Sequence, residues 1–391
     1  MRNREHGTWM AGRRDGRWRK VRLACAAVAV AGWVCMAHAD VGAPLNTGNF
    51  KYQMKITFSG YAGTTSLTNF PALVALHTGI SGFNYAQLQT GAADLRFADS
   101  SGFELAYDKD TWNESGTSYV WVRLSKLAAA TDYIRAYWGN ASATAPAYTT
   151  NGVAWPSYAA VWHMREPAVV DSSALHNTGI ANGNLSSTGL VGTAQSFAST
   201  NWVNVSSVSA DITASAFTLS GCMLTSNDGG IDGSTPISAS TSAKAGILWL
   251  KIGGSAAPVV SAGQLALITG ASTLAINSGE SVTNGVWRHF AYVRSGSVGT
   301  LYIDGVQKGT YTAAETYAAT DLWSIGQRYG GVARTPGRYF IGKLDEMRIA
   351  STARSVDWVK TESSTARNNA GFTTYGAVEF APETGSTFFG W

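Results

Sequence analysis

Cysteine is nearly missing from this chain, with three in 391 residues, and charged side chains make up only 14%. Cys25 and Cys35 lie near the amino terminus, so Cys222 has no partner in the remainder. A disulfide scaffold is thereby excluded, and the fold must rest on a packed core, which this length permits. Apolar runs stay short of the roughly 20 residues that cross a bilayer as a helix, and no long stretch shows capped helical periodicity. The motifs H-E-x-x-H, G-x-S-x-G and C-x-x-C do not occur. Their absence removes the familiar zinc-protease, serine-hydrolase and dithiol signatures.

Residues 1–39 stand apart. They carry Arg2, Arg4, Arg13, Arg14, Arg17, Arg19, Lys20 and Arg22 against Glu5 and Asp15. An apolar run over 23–36 follows, then Ala37-His38-Ala39. Basic, apolar and small residues in that order predict a secretory signal peptide cleaved near Ala39, with an uncleaved anchor as the alternative. Met10 is a candidate internal start. Arg13-Arg14 lacks twin-arginine flanks, and Cys25 sits at the front of the apolar run, where a lipoprotein cysteine would follow it, which argues against lipidation. After cleavage 21 of the 29 basic and 23 of the 25 acidic side chains remain, a net charge of −2 in place of +4. The basic balance belongs to the leader, so neither nucleic acid nor stable membrane insertion is expected. The expected location is secreted or cell envelope, in the periplasm or at the cell surface.

Gly, Ser, Thr and Ala are abundant beyond the leader, and eleven of the 14 tryptophans fall there. Short alternating runs between Gly, Asn and Ser turns predict an all-β chain of two antiparallel β-sandwiches. The expected divisions are 46–148 for the first, 149–158 for a polar linker, 159–380 for the second and 381–391 for a tail. In the first, residues 119–124 place Val120, Val122 and Leu124 on one face and Tyr119, Trp121 and Arg123 on the other. Trp112, Trp121 and Trp138 read as core or as sugar-stacking platforms, with Trp121 the best candidate for exposure because Tyr119 and Arg123 share its face. Asp108, Asp110 and Glu114 read as a solvated acidic loop or as a calcium site, although the D-x-D-x-D-G spacing is missing.

The second sandwich centres on residues 287–305, WRHFAYVRSGSVGTLYIDG: two strands and an Asp304-Gly305 turn suited to positive φ. Trp287, His289, Ala291 and Val293 share one face, and Arg288 and Arg294 the other. His289 reads as a satisfied core histidine, with ligand or base as the alternative. In the closing strand, 341–349, Asp345, Met347 and Ile349 share the inward face and Glu346 and Arg348 the other. Asp345 is therefore a buried carboxylate in need of a partner. Ser355 is a candidate cap for a short helix through Trp358 and Lys360.

The pieces NFPALVAL (69–76), DLRFADSSG (94–102), DKDTWN (108–113), YVWVRLSKL (119–127) and YWGNASA (137–143) resemble, in order and spacing, a bacterial domain of unknown function, DUF2341. That resemblance implies an exported or envelope protein and no catalytic residues. AAVWHM (159–164), DSSALHNTG (171–179), the W-x-H-x-A…LY-x-DG hairpin and IGKLDEMRI (341–349) resemble laminin-G-like, concanavalin A-like jelly rolls. The chain departs from that pattern with Ala174 and His176 in the D-S-S loop. The resemblance implies a calcium ion held by Asp171 and Asp345, with Asn177 or nearby carbonyls completing the oxygen shell. The alternative is Asp345 capping backbone amides.

Glycoside hydrolases on this architecture place two carboxylates on one strand, as in E-x-D-x-E, about 5.5 Å apart for retention. No Glu here has Asp two residues later. Ser226-Asn-Asp-Gly-Gly230 begins like a sialidase Asp-box but lacks its aromatic, and APETG (381–385) lacks a sortase signal's Leu. The expectation is an exported, non-catalytic protein that binds carbohydrate or a surface or extracellular partner through the second sandwich. A divergent polysaccharide hydrolase or lyase and a structural envelope component are the alternatives.

Overall fold

Two antiparallel β-sandwiches, built from the alternating runs, make up a computed structural model that describes residues 42–382 except 166–167, 213–215, 242–246, 271 and 329–337. The predicted leader and the tail beyond residue 382 lie outside the described residues. Among the described residues no helix is long and apolar enough to cross a membrane.

In the first sandwich a three-stranded sheet joins Leu67–Leu76, Ser118–Leu127 and Tyr107–Thr111. It faces a six-stranded sheet whose central members are Tyr52–Thr57, Tyr133–Trp138 and Arg96–Asp99. Met54, Ile56, Phe70, Val120, Val122 and Trp138 fill the space between. Thr374–Tyr375 and Glu379–Phe380 also pair with Tyr52–Thr57. The structure thus differs from the expected division: the last strands before residue 382 complete the first sandwich, not the second. Residues 149–158 are not a solvated linker either, because Trp155 and Tyr158 are buried in the same core.

The second sandwich stacks an eight-stranded on a seven-stranded sheet. Gly342–Ala350 lies between Thr193–Phe197 and Ala216–Leu224, and Tyr158–Trp162 pairs with its end. The hairpin of Arg288–Ser295 and Val298–Ile303 forms as expected. Asp304 and Gly305 both take positive φ, 53° and 78°, the conformation a tight turn between twisted strands demands. Phe290, Tyr292, Leu301 and Ile303 enter the jelly-roll core. The opposite face, Ala291 and Val293, packs against Val359 of a helix.

That helix, Val356–Arg367, is capped by Ser355, whose Oγ accepts from Trp358 N at 3.2 Å. It is longer than expected and holds the sandwiches together. Trp358 packs edge-on against Phe70 at 5.1 Å. Thr365 Oγ1 accepts from Leu73 N, and Glu362 accepts from Ser220 Oγ. Asp357 Oδ2 gathers the amides and hydroxyls of Thr64 and Thr65 at 2.8–3.1 Å. These hydrogen bonds hold its carboxyl below the usual range. Four donors focused on one carboxylate predict that Asp357→Ala lowers the urea midpoint by the equivalent of about 2 kcal/mol, since charged hydrogen bonds contribute more than neutral ones. An unchanged midpoint would show that the loop at 64–65 adds nothing to docking of the helix.

Candidate functional site

The outer face of the three-stranded sheet lies against the outer face of Gly342–Ala350. Side chains that alternation assigns to solvent therefore meet in a buried seam. Trp121 is one of them: it is fully buried, and its Nε1 donates to Glu346 Oε1 at 3.3 Å. The core reading holds even for Trp121, the best candidate for exposure, because the second sandwich covers its face. Trp138 is buried in the first core, and Trp112 is half-buried, donating to Glu114. Asp108 and Asp110 are buried on a strand and are not part of a solvated loop.

His163, just after Tyr158–Trp162, is the centre of the seam. Its Nε2 lies 3.0 Å from Asp108 Oδ2 and its Nδ1 2.9 Å from Glu346 Oε1. Trp155 Nε1 also donates to Asp108 Oδ2, at 2.9 Å. Arg348 donates to Glu346 at 2.6 Å and to Glu362 at 3.1 Å. Its guanidinium also lies over the rings of Trp121 and Trp155, 4.1 and 4.8 Å from their centroids.

Burial disfavours the charge on His163, but the Glu346 charge and the hydrogen bonds the ring donates to both carboxylates outweigh it and raise the imidazole to about 10. Burial likewise works against Asp108 and Glu346, yet His163 holds both below their ordinary ranges, helped at Glu346 by Arg348. Asp110 is different. Burial lifts it to about 7, with His163 and Arg165 pulling down and Glu346 and Asp108 pushing up. Its Oδ1 has no hydrogen-bond partner. Asp110, His163 and Glu346 present ligand atoms within 4.8 Å of one another.

A β-bulge shapes the seam. Ser220 pairs with Arg348 and Cys222 with Asp345, so Gly221 alone opposes Glu346 and Met347. Glu346 takes φ of 50°, and a side chain at Gly221 would strike Met347 Sδ. Met164, beside His163, also takes positive φ, 58°. Close to the seam is a cavity of about 270 Å³ lined by Asp108, Lys109, Trp155, Arg165, Ser172 and His176, among others.

Asp171, Asn177 and Asp345 are all buried. Asp171 accepts from the amides of Val161, Ser173 and Asn177 at 2.6–2.8 Å and from Ser173 Oγ. Asn177 Nδ2 donates to Ala159 O and to Asp211. Asp345 accepts from Leu190 N and Val191 N on one oxygen and from Glu346 N on the other. Burial, then the Glu346 charge, push its carboxyl well up. The structure joins Asp171 to Asn177 and gives Asp345 a separate set of amides, the capping arrangement. His163, Glu346 and Glu362 escaped the sequence reading. The available signal was a His and a Glu-x-Arg pair on strand faces of a chain with few charges.

Residues 177–360 match the family model described as the concanavalin A-like lectin/glucanases superfamily, and residues 92–154 match that of DUF2341. The first sandwich is thus DUF2341-like and the second a laminin-G-type, concanavalin A-like jelly roll, in the expected order. No curated protein matches the chain.

Among solved structures, domain 4 of the extracellular arabinanase AbnA of Geobacillus stearothermophilus, in complex with arabinotriose, is 16% identical with a TM-score of 0.42. That match covers 52% of this chain and 97% of that one. A pentraxin of Limulus polyphemus is 18% identical, covering 44% and 85%, with a TM-score of 0.34. The binding domain of Paraclostridial mosquitocidal protein 1 is 13% identical, covering 54% and 53%, with a TM-score of 0.43.

His289 is buried as expected but not satisfied. Neither ring nitrogen has a hydrogen-bond partner, and Glu362 Oε2 is 4.0 Å away. Burial lowers its pKa to about 4, against the opposing pull of Glu362 and Asp304 and with the help of Arg348 and Arg367. Stability from the neutral ring is complete above the ordinary value near 6.5. It is lost as pH falls towards 4, because the unfolded chain takes up a proton that the folded chain refuses. Replacing the ring removes that loss. Between pH 8 and pH 5 the stability of His289→Leu relative to the native protein should improve by about 2 kcal/mol in urea denaturation. A constant difference would mean that the folded ring protonates normally.

Proposed function

We propose that the protein is exported and acts as a non-catalytic binding module, recognising carbohydrate or a surface partner through loops at one end of the jelly roll. The observation that carries this reading is the match of residues 177–360 to the lectin/glucanase superfamily. Export is supported by the basic, apolar and small-residue order of residues 1–39. The carboxylates that lie close together support binding without hydrolysis. Asp108, Glu346 and Glu362 are buried in ion pairs or hydrogen bonds, whereas glycoside hydrolysis needs two carboxylates flanking a bound sugar.

The cavity of about 270 Å³ beside the D-S-S loop is the site we assign to the ligand. Its lining of hydroxyl, carboxylate, guanidinium and imidazole groups suits sugar hydroxyls. Val170 and Leu175 give the same loop exposed apolar area. The test is a glycan array together with cell-surface binding by the chain lacking residues 1–39. At the exposed His176, with φ of 53°, glycine removes the ring without strain. His176→Gly should weaken binding about 10-fold, near 1.4 kcal/mol, at unchanged melting temperature. A blank array with no surface binding would overturn the reading. Release of reducing ends from a polysaccharide would replace it with the hydrolase alternative.

A further inference from the structure

The seam holds five carboxyl groups against three basic side chains. Asp108, Asp110, Asp345, Glu346 and Glu362 are all buried. Facing them are Arg348, Arg165 and, when doubly protonated, His163. Excess charge of one sign in a low-dielectric interior is costly unless something neutralises it. Asp110 is where the compensation fails. It is 2% exposed, its Oδ1 has no partner, and Arg165 reaches only the main chain here, donating to the carbonyls of Lys109 and Asp110.

We propose that Asp110, His163 and Glu346 form a binding site for a divalent cation of the zinc class, which bolts the first sandwich to the second. An imidazole with two carboxylates favours such a borderline ion over calcium, which takes six to eight oxygens. His163 Nδ1 and Glu346 Oε1, 2.9 Å apart, are already near the spacing of about 3.3 Å between two ligands of a tetrahedral zinc. The third ligand atom lies within 4.8 Å, so Asp110 closes the site by moving at most about 1.5 Å.

The partners around these ligands suit the same role. Asp108 accepts from His163 Nε2, with Trp155 Nε1 on the same oxygen, and this fixes the ring with Nδ1 towards the site. A carboxylate behind a ligating histidine is the common outer partner of zinc ligands. Arg348 holds the other Glu346 oxygen. Positive φ at Glu346 and Met164 is backbone strain of the kind that accumulates at ligand clamps. On binding, the metal takes the Nδ1 lone pair and the proton there leaves to solvent. The neighbouring cavity is walled by Asp108, which accepts from His163, and by Arg165, which donates to the Asp110 carbonyl.

The test uses the full chain and Zn²⁺ alone, with no carbohydrate present, so its result is independent of ligand recognition. Expected are uptake of one ion per chain in competition with a chromogenic chelator, a rise in melting temperature reversed by EDTA, and no rise with millimolar Ca²⁺. Co²⁺ in the same site should give visible absorption bands of low symmetry. Asp110→Asn removes an uncompensated buried charge, so it should fold at least as well as the native protein without metal. Its zinc affinity should fall at least 10-fold. No stoichiometric uptake by the native protein would overturn the proposal. Uptake undiminished in both Asp110→Asn and Glu346→Gln would also overturn it, because the ion would then lie elsewhere.

Discussion

The imidazole of His163, held between Asp108 of one sandwich and Glu346 of the other, is the contact on which the arrangement of this molecule depends. It lies between two sheet faces that alternation would leave wet, and it is almost fully buried. In such surroundings a charge needs its partners: removing one member of a buried pair strands the other, at a cost of roughly 3–5 kcal/mol. The strength of this contact therefore comes as much from the penalty of breaking it as from the attraction itself. It also demands accuracy. Asp108 and Glu346 come from two strands and His163 from the residue that follows a third, and an error in any register would leave a buried charge unmatched. The hydrophobic surroundings, Trp121 and Trp155 with Arg348 across them, exclude water and make the register matter.

Backbone irregularity makes the contact possible. The bulge opposite Gly221 turns Glu346 out of the regular alternation, and the absence of a Cβ at Gly221 leaves room for Met347. Gly192 does the same from the other side. A side chain there would collide with Thr111 Oγ1 and come within 3.0 Å of Asp110 Oδ2, so the loop at 189–192 can press against the first sandwich only with glycine. The helix Val356–Arg367 closes the seam, with Glu362 on Arg348 and Trp358 on Phe70.

Sequence alternation was a good guide to strands and a poor guide to what covers them. The hairpin around Asp304-Gly305 was legible because a two-residue turn with positive φ has a short list of tolerated residues. Asp345 was read as inward because it is in phase with Met347 and Ile349, but the bulge at Glu346 breaks that phase. Leu344, Met347 and Ile349 enter the jelly-roll core, whereas Asp345 pairs with Cys222 on the seam side and caps the amides of Leu190 and Val191. Trp121 was the best candidate for exposure for the reason that placed Glu346 and Arg348 outward: period-two patterning separates two faces but does not say whether the second meets water or another sheet. The helix was read too short because its buried side includes Asp357, Thr361, Glu362, Ser363 and Thr365, polar residues that packing and hydrogen bonding accommodate but hydrophobic periodicity does not signal. His163 was part of a recognised strand, yet its partners are 55 and 183 residues away in sequence.

The return of residues 374–380 to the strand Tyr52–Thr57 makes the jelly roll, in topology, a long excursion from the first sandwich. Tyr52 pairs with Phe380 at one edge of that sheet, whereas residues 42–45 bond to Gly102, Phe103 and Glu104 at the other, so both ends of the described chain are tied into the first sandwich. Tension applied through the flanking segments would load the two edges of that sheet first. The bonds of residues 42–45 to Gly102 and Glu104, and the pairs Tyr52–Phe380 and Gln53–Glu379, would open one after another, like a zipper, ahead of the jelly roll and the seam. A module joined to its surroundings in this way can be pulled without being pulled apart: the first mechanical event is release of a short length of chain, with the binding end left folded.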